Sequence, residues 1–578
     1  MRPLYKTEPV KRWVDLDSNP KKRWIFNHRW RAILGKQYFV DGEIIFPETN
    51  EKPRKGAYRT VYGANFCPDV IVHRNCDQTI RQAMRRLTGT RLPHLPGEDE
   101  RLRSNQRRFL MSRLHSFQQL GKEFYDFLDS CDLPTDAREA ALWFHGEKHP
   151  KRIPRIQAYL ELLQGRSRSG KDIADRLWLK VVLYKLKKDE YAKFEKYARM
   201  IGDMGIAASL QGFWITALVK KCMEARPMHH NGGTISFCSK PTNERLTAVF
   251  HELREPTRRF SFVYFSDDSC LALRIGGRVR RFNLDISSCD ASHTAHLFYL
   301  LRTLVPPDHK DDIDVLIEQC SLPIEVRSVE NPGLKVRLKN DEPVLFSGST
   351  LTTIINNLAN ISIGMAISEC EFREEDTDDQ IEEKLVTAAS RAGYILTGCR
   401  PLDNFAQLQF LKNSPIIVDG KVVPFLNVGV MLRASGTCRG DLPGRGKDTI
   451  EKRAHCFQNA LLQGLYPRHT FPLLRALRSQ IKHTGEASLI AKCSKQLARD
   501  DYWSHERDTG DFLEIPTSAW IERYDLELGD IEELITMLRV APLMGSHINT
   551  HAVSRILEMD YGYPTVDHRE EIPLRDLE

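Results

Sequence analysis

The sequence predicts an α+β fold, in which a set of short strands stands between two helical regions. Residues from about 155 to 225 have a mainly helical pattern. From about residue 234 the pattern changes to short apolar and aromatic runs that are typical of strands, at 234–238, 260–265, 270–275 and 279–286. Helical periodicity returns after Asp290, and the region beyond about 445 is helical and mixed in charge. The predicted strands therefore lie near the middle of the chain.

The composition is that of a globular protein with several parts. A chain of 578 residues is too long for one simple core and suits three or four sub-domains around a common cleft. The net charge of +7 suits a phosphate-rich partner, although many proteins without such a partner carry a similar charge. The arginines between residues 81 and 113 favour a solvated helical face over a phosphate-binding wall. Thirteen cysteines without a CxxC pair, and a polar, basic start, favour a reducing, cytosol-like compartment and no zinc site.

The first candidate site is a predicted hairpin. Apolar strands flank the turn that contains Ser266, Asp267 and Asp268, and this Asp-Asp pair is the one of four in the chain that two hydrophobic strands present. Two adjacent carboxylates repel each other unless a cation neutralises them. A single Asp-Asp turn is nevertheless more often structural than catalytic, so this element needs support from others.

The second element is a strand followed by a predicted helix. Residues 280–286 alternate as a strand that ends in Asp285, and Asp290 stands at the entrance of a helix predicted over 291–304. Nucleotidyl transfer uses two Mg²⁺ ions held by carboxylates from different strands. Asp285 and Asp267 are the expected ligands, with Asp268 beside them. Asp290 is expected either near an incoming ribose or, as the structural alternative, as a helix N-cap.

The third element is a glycine turn before an apolar helix. Ser347 and Gly348 precede Thr352 and Asn356, which are four residues apart and share one helix face. That face could bind a ribose 2′-hydroxyl, or its polar groups could bond to one another inside a buried helix. The surrounding stretch 344–367 contains too many polar residues for a membrane span, so we expect a buried helix whose polar stripe faces a site.

Together these residues resemble the palm motifs of viral RNA-dependent RNA polymerases. Asp285 and Asp290 match the D-x4-D pattern of motif A. Ser347, Gly348, Thr352 and Asn356 match the SG-x3-T-x3-N pattern of motif B, and Ser266-Asp267-Asp268 is similar to the GDD of motif C, with Ser in place of Gly. Motif C stands before motif A here, and this C–A–B order resembles that of the permuted polymerases of birnaviruses and permutotetraviruses.

Three further segments resemble polymerase motifs outside this core. The segment from Lys187 to Ile201 is similar to motif F, which lines the path of the incoming nucleotide. Its basic residues that the resemblance assigns to the triphosphate are Lys187, Lys188, Lys196 and Arg199. A charged amphipathic helix is the structural alternative for this segment. By the same resemblance, Arg400 in motif D would give a proton to pyrophosphate, and Lys412 in motif E would hold the nascent strand.

The resemblance implies a closed right hand with a permuted palm connectivity and an antiparallel palm sheet. The expected domains are an N-terminal extension with fingers at 1–205, a palm at 206–415, and a thumb with the C-terminal tail at 416–578. The implied activity is RNA-directed RNA polymerisation with two Mg²⁺ ions, which Mn²⁺ can replace. The implied partners are an RNA template, nascent RNA, NTPs and other viral proteins or a genome-linked protein. The expected location is the host cytoplasm or the virion.

Three alternatives remain open from the sequence. A reverse transcriptase uses similar carboxylates, but its motif order and its YxDD turn differ from this chain. A catalytically silent RNA-binding scaffold could keep the polymerase shape, although all the carboxylates are present here. The third is an unrelated protein with accidental matches, which three motifs and a fourth segment at workable spacings argue against.

Overall fold

The structure is a computed structural model that describes the greater part of the chain. It describes residues 30–32, 39–40, 43–44, 63–64, 66, 75–89, 95, 97–131, 181–187, 197–205, 212–331, 333–435, 448–465, 469–470, 476, 479, 481, 485–496, 513–514, 516–541, 544 and 546–562. Side chains are not described for the strands before residue 45, nor for residues 213–214, 463–465, 469–470, 495–496 and 513–514.

The described N-terminal part contains short strands and three helices. In chain order these are β1 (Trp30–Ala32), β2 (Phe39–Val40), β3 (Glu43–Ile44), α1 (Asp77–Thr88), α2 (Glu98–Ser112), α3 (Leu114–Asp129), β4 (Val182–Leu186) and β5 (Met200–Asp203). The two last strands contradict the helical pattern predicted over 155–225. Apolar residues alternate along β4, and its edges pair with two other strands, so strand pairing overrides the local helical pattern there.

The middle part alternates strands and helices. Its elements are α4 (Phe213–Ala225), β6 (Met228–His230), β7 (Gly233–Phe237), α5 (Asn243–Arg254), β8 (Phe260–Phe265), β9 (Asp268–Ile275), β10 (Arg278–Ile286), α6 (Ala295–Leu300), α7 (Lys310–Cys320), β11 (Ile324–Arg327), β12 (Lys335–Asn340), α8 (Thr352–Ser368), α9 (Asp378–Arg391), β13 (Leu396–Thr397), β14 (Asn413–Val418) and β15 (Lys421–Leu426). The predicted strands and the predicted buried helix are thus confirmed. Within the described residues, no helix is long and apolar enough to cross a membrane.

The C-terminal part is mainly helical, as the sequence predicts. It contains α10 (Val428–Ser435), α11 (Ile450–Leu465), β16 (His469–Thr470), α12 (Ala487–Gln496), β17 (Leu513–Glu514), α13 (Thr517–Tyr524), α14 (Leu528–Val540) and α15 (His551–Tyr561). β14 and β15 form a separate hairpin that leads into this part. The apolar core of the C-terminal part is formed by buried residues between Ile416 and Tyr561 and also includes Ala64 and Phe66 from the N-terminal part.

A six-stranded sheet lies at the centre of the chain, with the order β13-β10-β9-β8-β7-β6. Its pairs are antiparallel except β7 with β8, which are parallel. The antiparallel expectation fails at that pair because α5 connects the two strands as a crossover, and such a connection returns the chain in the same direction. The buried helix α8 packs against β7 and β8 on one face of this sheet.

A second sheet of five strands has the order β1-β12-β11-β4-β5. It is antiparallel except for the parallel pair of β4 with β11. The apolar residues of both sheets belong to one hydrophobic core, whose first and last buried residues in the sequence are Ile80 and Cys399. The sheets are therefore joined by a shared hydrophobic interior, which fixes β5 close to the loop before α8.

The arginine run of α2 and its neighbours is largely neutralised. Arg101 pairs with Glu98, Arg107 with Glu342, and Arg113 forms a two-pronged pair with Glu369. These contacts favour the interpretation of the run as a solvated helical face, as expected. Three arginines of the run are exceptions. The Arg103 side chain is only 4% exposed and points into the protein, and Arg81 and Arg85 on α1 are also buried, each at 8% exposure.

Candidate active site

The tight turn between β8 and β9 carries Asp267 at its exposed tip. The preceding Ser266 has a left-handed backbone with φ 53°, and three asparagines of α8 hold it. The Ser266 N–H donates to Asn357 Oδ1 over 2.9 Å, its carbonyl accepts from the Asn360 amide, and its hydroxyl accepts from Asn356 Nδ2 over 3.2 Å. A left-handed residue with a Cβ costs about 1–2 kcal/mol, and these three hydrogen bonds offset that cost.

Asp285 lies on β10 directly opposite Asp268 on β9. Residues that face each other across an antiparallel pair stand on the same side of the sheet. The strand-end acid and the turn acid therefore share one face, as the sequence predicts for acids brought in from different strands. Asp267 and Asp285 are exposed, whereas Asp268 is half-buried.

The protonation of Asp268 reflects this crowding of acids. The pKa of Asp268 is raised to about 7, chiefly by burial and also by the charges of Asp267 and Asp285. Two groups oppose the rise in the pKa: the Leu411 N–H, which donates to Asp268 Oδ2 over 2.8 Å, and the Lys412 ammonium. A cation placed among these carboxylates would relieve their repulsion and favour the charged form of Asp268.

These carboxylates do not form a ready-made metal cage. Within the part of the chain that the structure describes, no group of three or more His, Cys, Asp or Glu side chains is arranged to hold a metal ion alone. Mg²⁺ commonly binds through one or two carboxylates and takes its other oxygens from water and substrate phosphates. The oxygen donors of Asp267, Asp268 and Asp285 fit Mg²⁺ or Mn²⁺ used in that way.

The surroundings of Asp290 differ from the prediction. Instead of a continuous helix over 291–304, the chain forms a 3₁₀ turn at Cys289–Ser292, and α6 begins only after Thr294, which occupies its N-cap position. The N-cap alternative for Asp290 is therefore wrong. Asp290 Oδ1 instead accepts a hydrogen bond from Asn356 Nδ2 over 3.0 Å, which joins the second and third predicted elements.

Charges from several segments act on Asp290. Burial raises the pKa of Asp290, the Asn356 hydrogen bond lowers it, and the charge of Asp267 raises it. The cations Arg199 and Arg86 also lower the pKa of Asp290. Arg86 comes from α1, and sequence reasoning did not assign it to the site. Asp290 therefore lies within electrostatic reach of both the acidic turn and two arginines.

Two residues of α2 explain why the helix is interrupted after Asp290. Arg103 donates to the carbonyls of Ala291 over 2.6 Å and of His293 over 3.1 Å. The buried Gln106 amide donates to one backbone carbonyl of the same segment over 2.9 Å and accepts from one backbone N–H over 2.7 Å. These side chains occupy backbone groups that a continuous helix would use internally. Sequence reasoning missed both residues, since Arg103 was one of many arginines.

We expect Arg103→Met to lower the free energy of unfolding by about 2–3 kcal/mol, because Asp99 and two backbone carbonyls would lose a buried partner. Urea unfolding followed by circular dichroism would measure the change. The matched control is Arg108→Met on the same helix, whose guanidinium bonds Asn105 at the surface. Equal stability losses in the two variants would contradict the bracing role of Arg103.

The loop before α8 is attached to β5. The Ser347 carbonyl accepts from the Gly202 N–H over 2.8 Å. Gly348 has φ 99°, and a Cβ at this position would lie 2.4 Å from the Gly202 oxygen, so a glycine is required there. The Thr352 hydroxyl donates to the Phe346 and Ser349 carbonyls, 2.9 and 3.0 Å away, and so stabilises the same loop.

The segment that resembles motif F is described only at its two ends. The Lys187 N–H donates to the Arg199 carbonyl over 2.9 Å, so these exposed residues face each other at the ends of β4 and β5. At these ends the structure has strands rather than the alternative charged helix. The intervening predicted residues lie outside the described residues: Lys188, Asp189, Glu190, Lys193 and Lys196.

The two remaining predicted residues have different surroundings. Arg400 is 67% exposed and pairs with Asp379 and Glu382 of α9. Lys412 has a left-handed backbone, its ammonium donates to the Asp560 carbonyl, and it lies 4.3 Å from the centre of the Tyr561 ring. Lys412 therefore links the acidic site to α15, whereas Arg400 belongs to a surface ion-pair group.

Comparison with known proteins gives structural matches only. No family model and no curated protein matches the sequence. The fold is similar to the RNA polymerase VP1 from infectious pancreatic necrosis virus, at 12% identity and a TM-score of 0.37, over 77% of this chain and 61% of that one. It is also similar to the birnavirus VP1–VP3 complex, at 12% identity and a TM-score of 0.36, over 72% of this chain and 56% of the other. The chain thus spans about three-fifths of the length of these viral proteins.

Proposed function

We propose that the chain is an RNA-directed RNA polymerase of the permuted viral type. The observation that carries this proposal is the convergence of three separate segments. Asp285 faces Asp268 across the sheet, and Asn356 bonds both Asp290 and the turn residue Ser266. A palm site needs its metal-binding acids and its sugar-binding polar group side by side, and the C–A–B order of these segments leaves that geometry intact.

The acidic face would hold the catalytic cations. Asp285 and Asp267 would bind two Mg²⁺ ions with help from Asp268, and these ions would supply activation of a 3′-hydroxyl and stabilisation of phosphate charge. Asp267 and Asp285 are exposed, so both are accessible to a metal-bound triphosphate. The Leu411 N–H holds Asp268 in place, which fixes the orientation of its carboxylate relative to the other two acids.

The polar groups around Asp290 would bind the nucleotide. Asp290 and Asn356 would contact the ribose, while Ser347, Gly348 and Thr352 would shape the adjoining loop. Arg199 and Lys187 would attract the triphosphate. The charge of Arg199 already lowers the pKa of Asp290, so Arg199 lies within electrostatic reach of the site. Lys188 and Lys196 are proposed for the same role from the motif resemblance. Lys412 would contact the nascent strand, and Arg400 would give a proton to pyrophosphate.

The proposal extends to architecture and partners. Fingers at 1–205, a palm at 206–415 and a thumb at 416–578 would enclose an RNA template and nascent RNA. The birnavirus VP1 to which the chain is similar forms a complex with VP3, and we propose that this chain likewise has a viral protein partner. It would work in a replication complex in the host cytoplasm or in the virion.

The direct test is templated synthesis by the full chain. On a poly(C) template with Mg²⁺ or Mn²⁺, we expect labelled GMP to be incorporated, while ATP, CTP, UTP and the four dNTPs give far less product. Efficient dNTP incorporation would favour a reverse transcriptase. Template binding without any incorporation, with a primer supplied, would favour the silent scaffold. GMP incorporation that does not depend on the template would also contradict the proposal.

We expect cation binding to weaken as the pH falls below about 7. Asp268 has a pKa of about 7, and its protonated form cannot serve as a ligand, so affinity rises with pH up to that value and then levels off. Mn²⁺ should bind about tenfold more weakly at pH 6 than at pH 8. Calorimetric titration in two buffers of different ionisation enthalpy would measure both the affinity and the released proton.

The variant Asp268→Asn should remove this pH dependence along with the proton release. The control is Asp312→Asn, which changes an aspartate of another Asp-Asp pair, on α7. The role of Asp268 would be contradicted by an affinity that changes equally with pH in the wild type and in Asp268→Asn.

A further inference from the structure

A buried histidine stands behind the polar group that joins the site together. His293 Nε2 lies 2.8 Å from Asn356 Oδ1, and His293 Nδ1 lies 2.9 Å from the Tyr394 hydroxyl. All three side chains are buried, at 5%, 2% and 1% exposure. Sequence reasoning assigned neither His293 nor Tyr394 to the site. The three side chains form a chain of hydrogen bonds that ends at Asp290 and Ser266.

The Asn356 amide has one orientation that satisfies its neighbours. Asn356 Nδ2 donates to Asp290 Oδ1 over 3.0 Å and to Ser266 Oγ over 3.2 Å. Asn356 Oδ1 must then accept, and two donors face it: His293 Nε2 at 2.8 Å and the Cys289 thiol at 3.3 Å. At 2.8 Å an unprotonated Nε2 would place two acceptors in contact, so the ring nitrogen must carry a proton. A rotated amide would turn its oxygen towards the Asp290 carboxylate, and two acceptors in contact repel each other.

This orientation fixes the histidine tautomer. His293 Nε2 carries the proton, and Nδ1 accepts from the Tyr394 hydroxyl. The His293 main chain is also held, because Arg103 donates to its carbonyl over 3.1 Å. The ring is therefore fixed both through its backbone and through Tyr394 before any ligand arrives, so its donor is directed at Asn356.

We propose that His293 is a positioning residue for sugar selection. It holds the Asn356 amide so that its NH₂ faces Asp290, and the half-buried Asp290 carboxylate, oriented by this bond, then presents a fixed acceptor to the ribose 2′-hydroxyl. Since this role concerns the sugar pocket, it rests on the proposed polymerase function. A pocket built to bond a hydroxyl discriminates against a substrate that lacks it, but only if the bonding groups are held in register.

The test compares NTP and dNTP incorporation in four variants of the full chain. His293→Leu removes the nearer of the two donors to Asn356 Oδ1, and we expect the ratio of kcat/KM for GTP to that for dGTP to fall about tenfold. In His293→Gln a side-chain amide can replace the ring N–H, so the ratio should recover to within about threefold of wild type. Tyr394→Phe frees the His293 ring to rotate, and the ratio should fall further than in His293→Gln but less than in His293→Leu. His296→Leu, an exposed change nearby, should leave the ratio unchanged.

Two results would overturn the proposal while wild-type polymerisation is intact. One is an unchanged ratio in both His293→Leu and Tyr394→Phe. The other is an equal loss in His293→Leu and His293→Gln, which would indicate a purely structural role for the ring. If His293→Leu does not fold, the other two variants still test the proposal. It requires the ratio of kcat/KM for GTP to that for dGTP to be lower in Tyr394→Phe than in His293→Gln.

A spectroscopic measurement tests the same contact without polymerisation. In ¹⁵N-histidine-labelled wild-type protein, with His293→Gln identifying the resonance, we expect a neutral ring protonated at Nε2 with slow exchange. A ring protonated at Nδ1 would overturn the proposal. A wild-type protein that has the expected tautomer but incorporates no nucleotide would instead contradict the proposed function.

Discussion

Asp285→Ala and Asp267→Ala are each expected to reduce templated NTP incorporation by at least about a thousandfold. Two-metal catalysis stabilises transition-state charge by several kcal/mol, and each 1.4 kcal/mol is a factor of ten in rate. Asp285→Ala removes an exposed carboxylate from the face on which Asp285 and Asp268 are paired, and Asp267→Ala removes the exposed carboxylate at the tip of the adjoining turn. The losses should appear in the rate of the chemical step, measured by single-turnover incorporation on a primed RNA template.

The same variants should still bind the RNA template. Asp267 and Asp285 are exposed acids, so their loss removes negative charge and does not open a cavity in the core. Asp311→Ala is the matched control, since Asp311 is an exposed member of another Asp-Asp pair, at the start of α7. Near-normal turnover in Asp267→Ala would remove the β8–β9 turn from the metal site and contradict the permuted order.

The parts of the site that depend on local pattern could be predicted from the sequence. The hairpin around Asp267, the strand that ends near Asp285 and the buried helix after Gly348 all follow from alternating or continuous apolar residues. Such patterns report which side chains a segment can bury on each of its faces, so they are kept in the folded chain. The cross-strand pairing of Asp285 with Asp268 then follows from the one short hairpin connection between β9 and β10.

The contacts that depend on distant segments could not be predicted. Strand pairing with β11 decides the structure of β4, against the helical pattern of its neighbourhood. Arg103 and Gln106 are about 190 residues from the segment that they hold, and they prevent the helix predicted after Asp290. His293 likewise acquires its role only when Tyr394 and Asn356 reach it. A single sequence carries no local sign of such pairings.

A buried ion pair anchors the C-terminal helices to the site. Arg523 and Asp560 have fully buried side chains and are joined by a hydrogen bond of 2.7 Å. Arg523 also donates to the carbonyls of Ala406 and Gln407, over 3.1 and 3.2 Å. This segment leads into Leu411, whose N–H bonds Asp268. The ion pair therefore lies on a continuous path from α13 and α15 to the acidic turn.

The other groups around Asp560 make this pair hard to replace. Asp560 Oδ2 accepts from the Tyr524 hydroxyl and from the Gly429 N–H, each over 2.8 Å. The Asp560 carbonyl accepts from the Lys412 ammonium. Removing Arg523 would leave a buried carboxylate without its cation and several carbonyls without their donor, and such losses are among the most costly that a single substitution causes.

Arg523→Met is accordingly expected to lower the free energy of unfolding of the C-terminal core by about 3–5 kcal/mol. Urea unfolding, followed by tryptophan fluorescence to which the buried Trp520 contributes, would measure it. Arg555→Met is the matched control. Arg555 on α15 forms partly exposed pairs with Glu558 and Asp525 and donates to the Tyr524 carbonyl over 3.0 Å, so its loss should cost only about 1–2 kcal/mol. A loss below about 1 kcal/mol in Arg523→Met would show that water or a rearranged neighbour replaces the guanidinium. The larger loss would instead show that this buried pair is a main support of the C-terminal core, to which Lys412 also connects the acidic site.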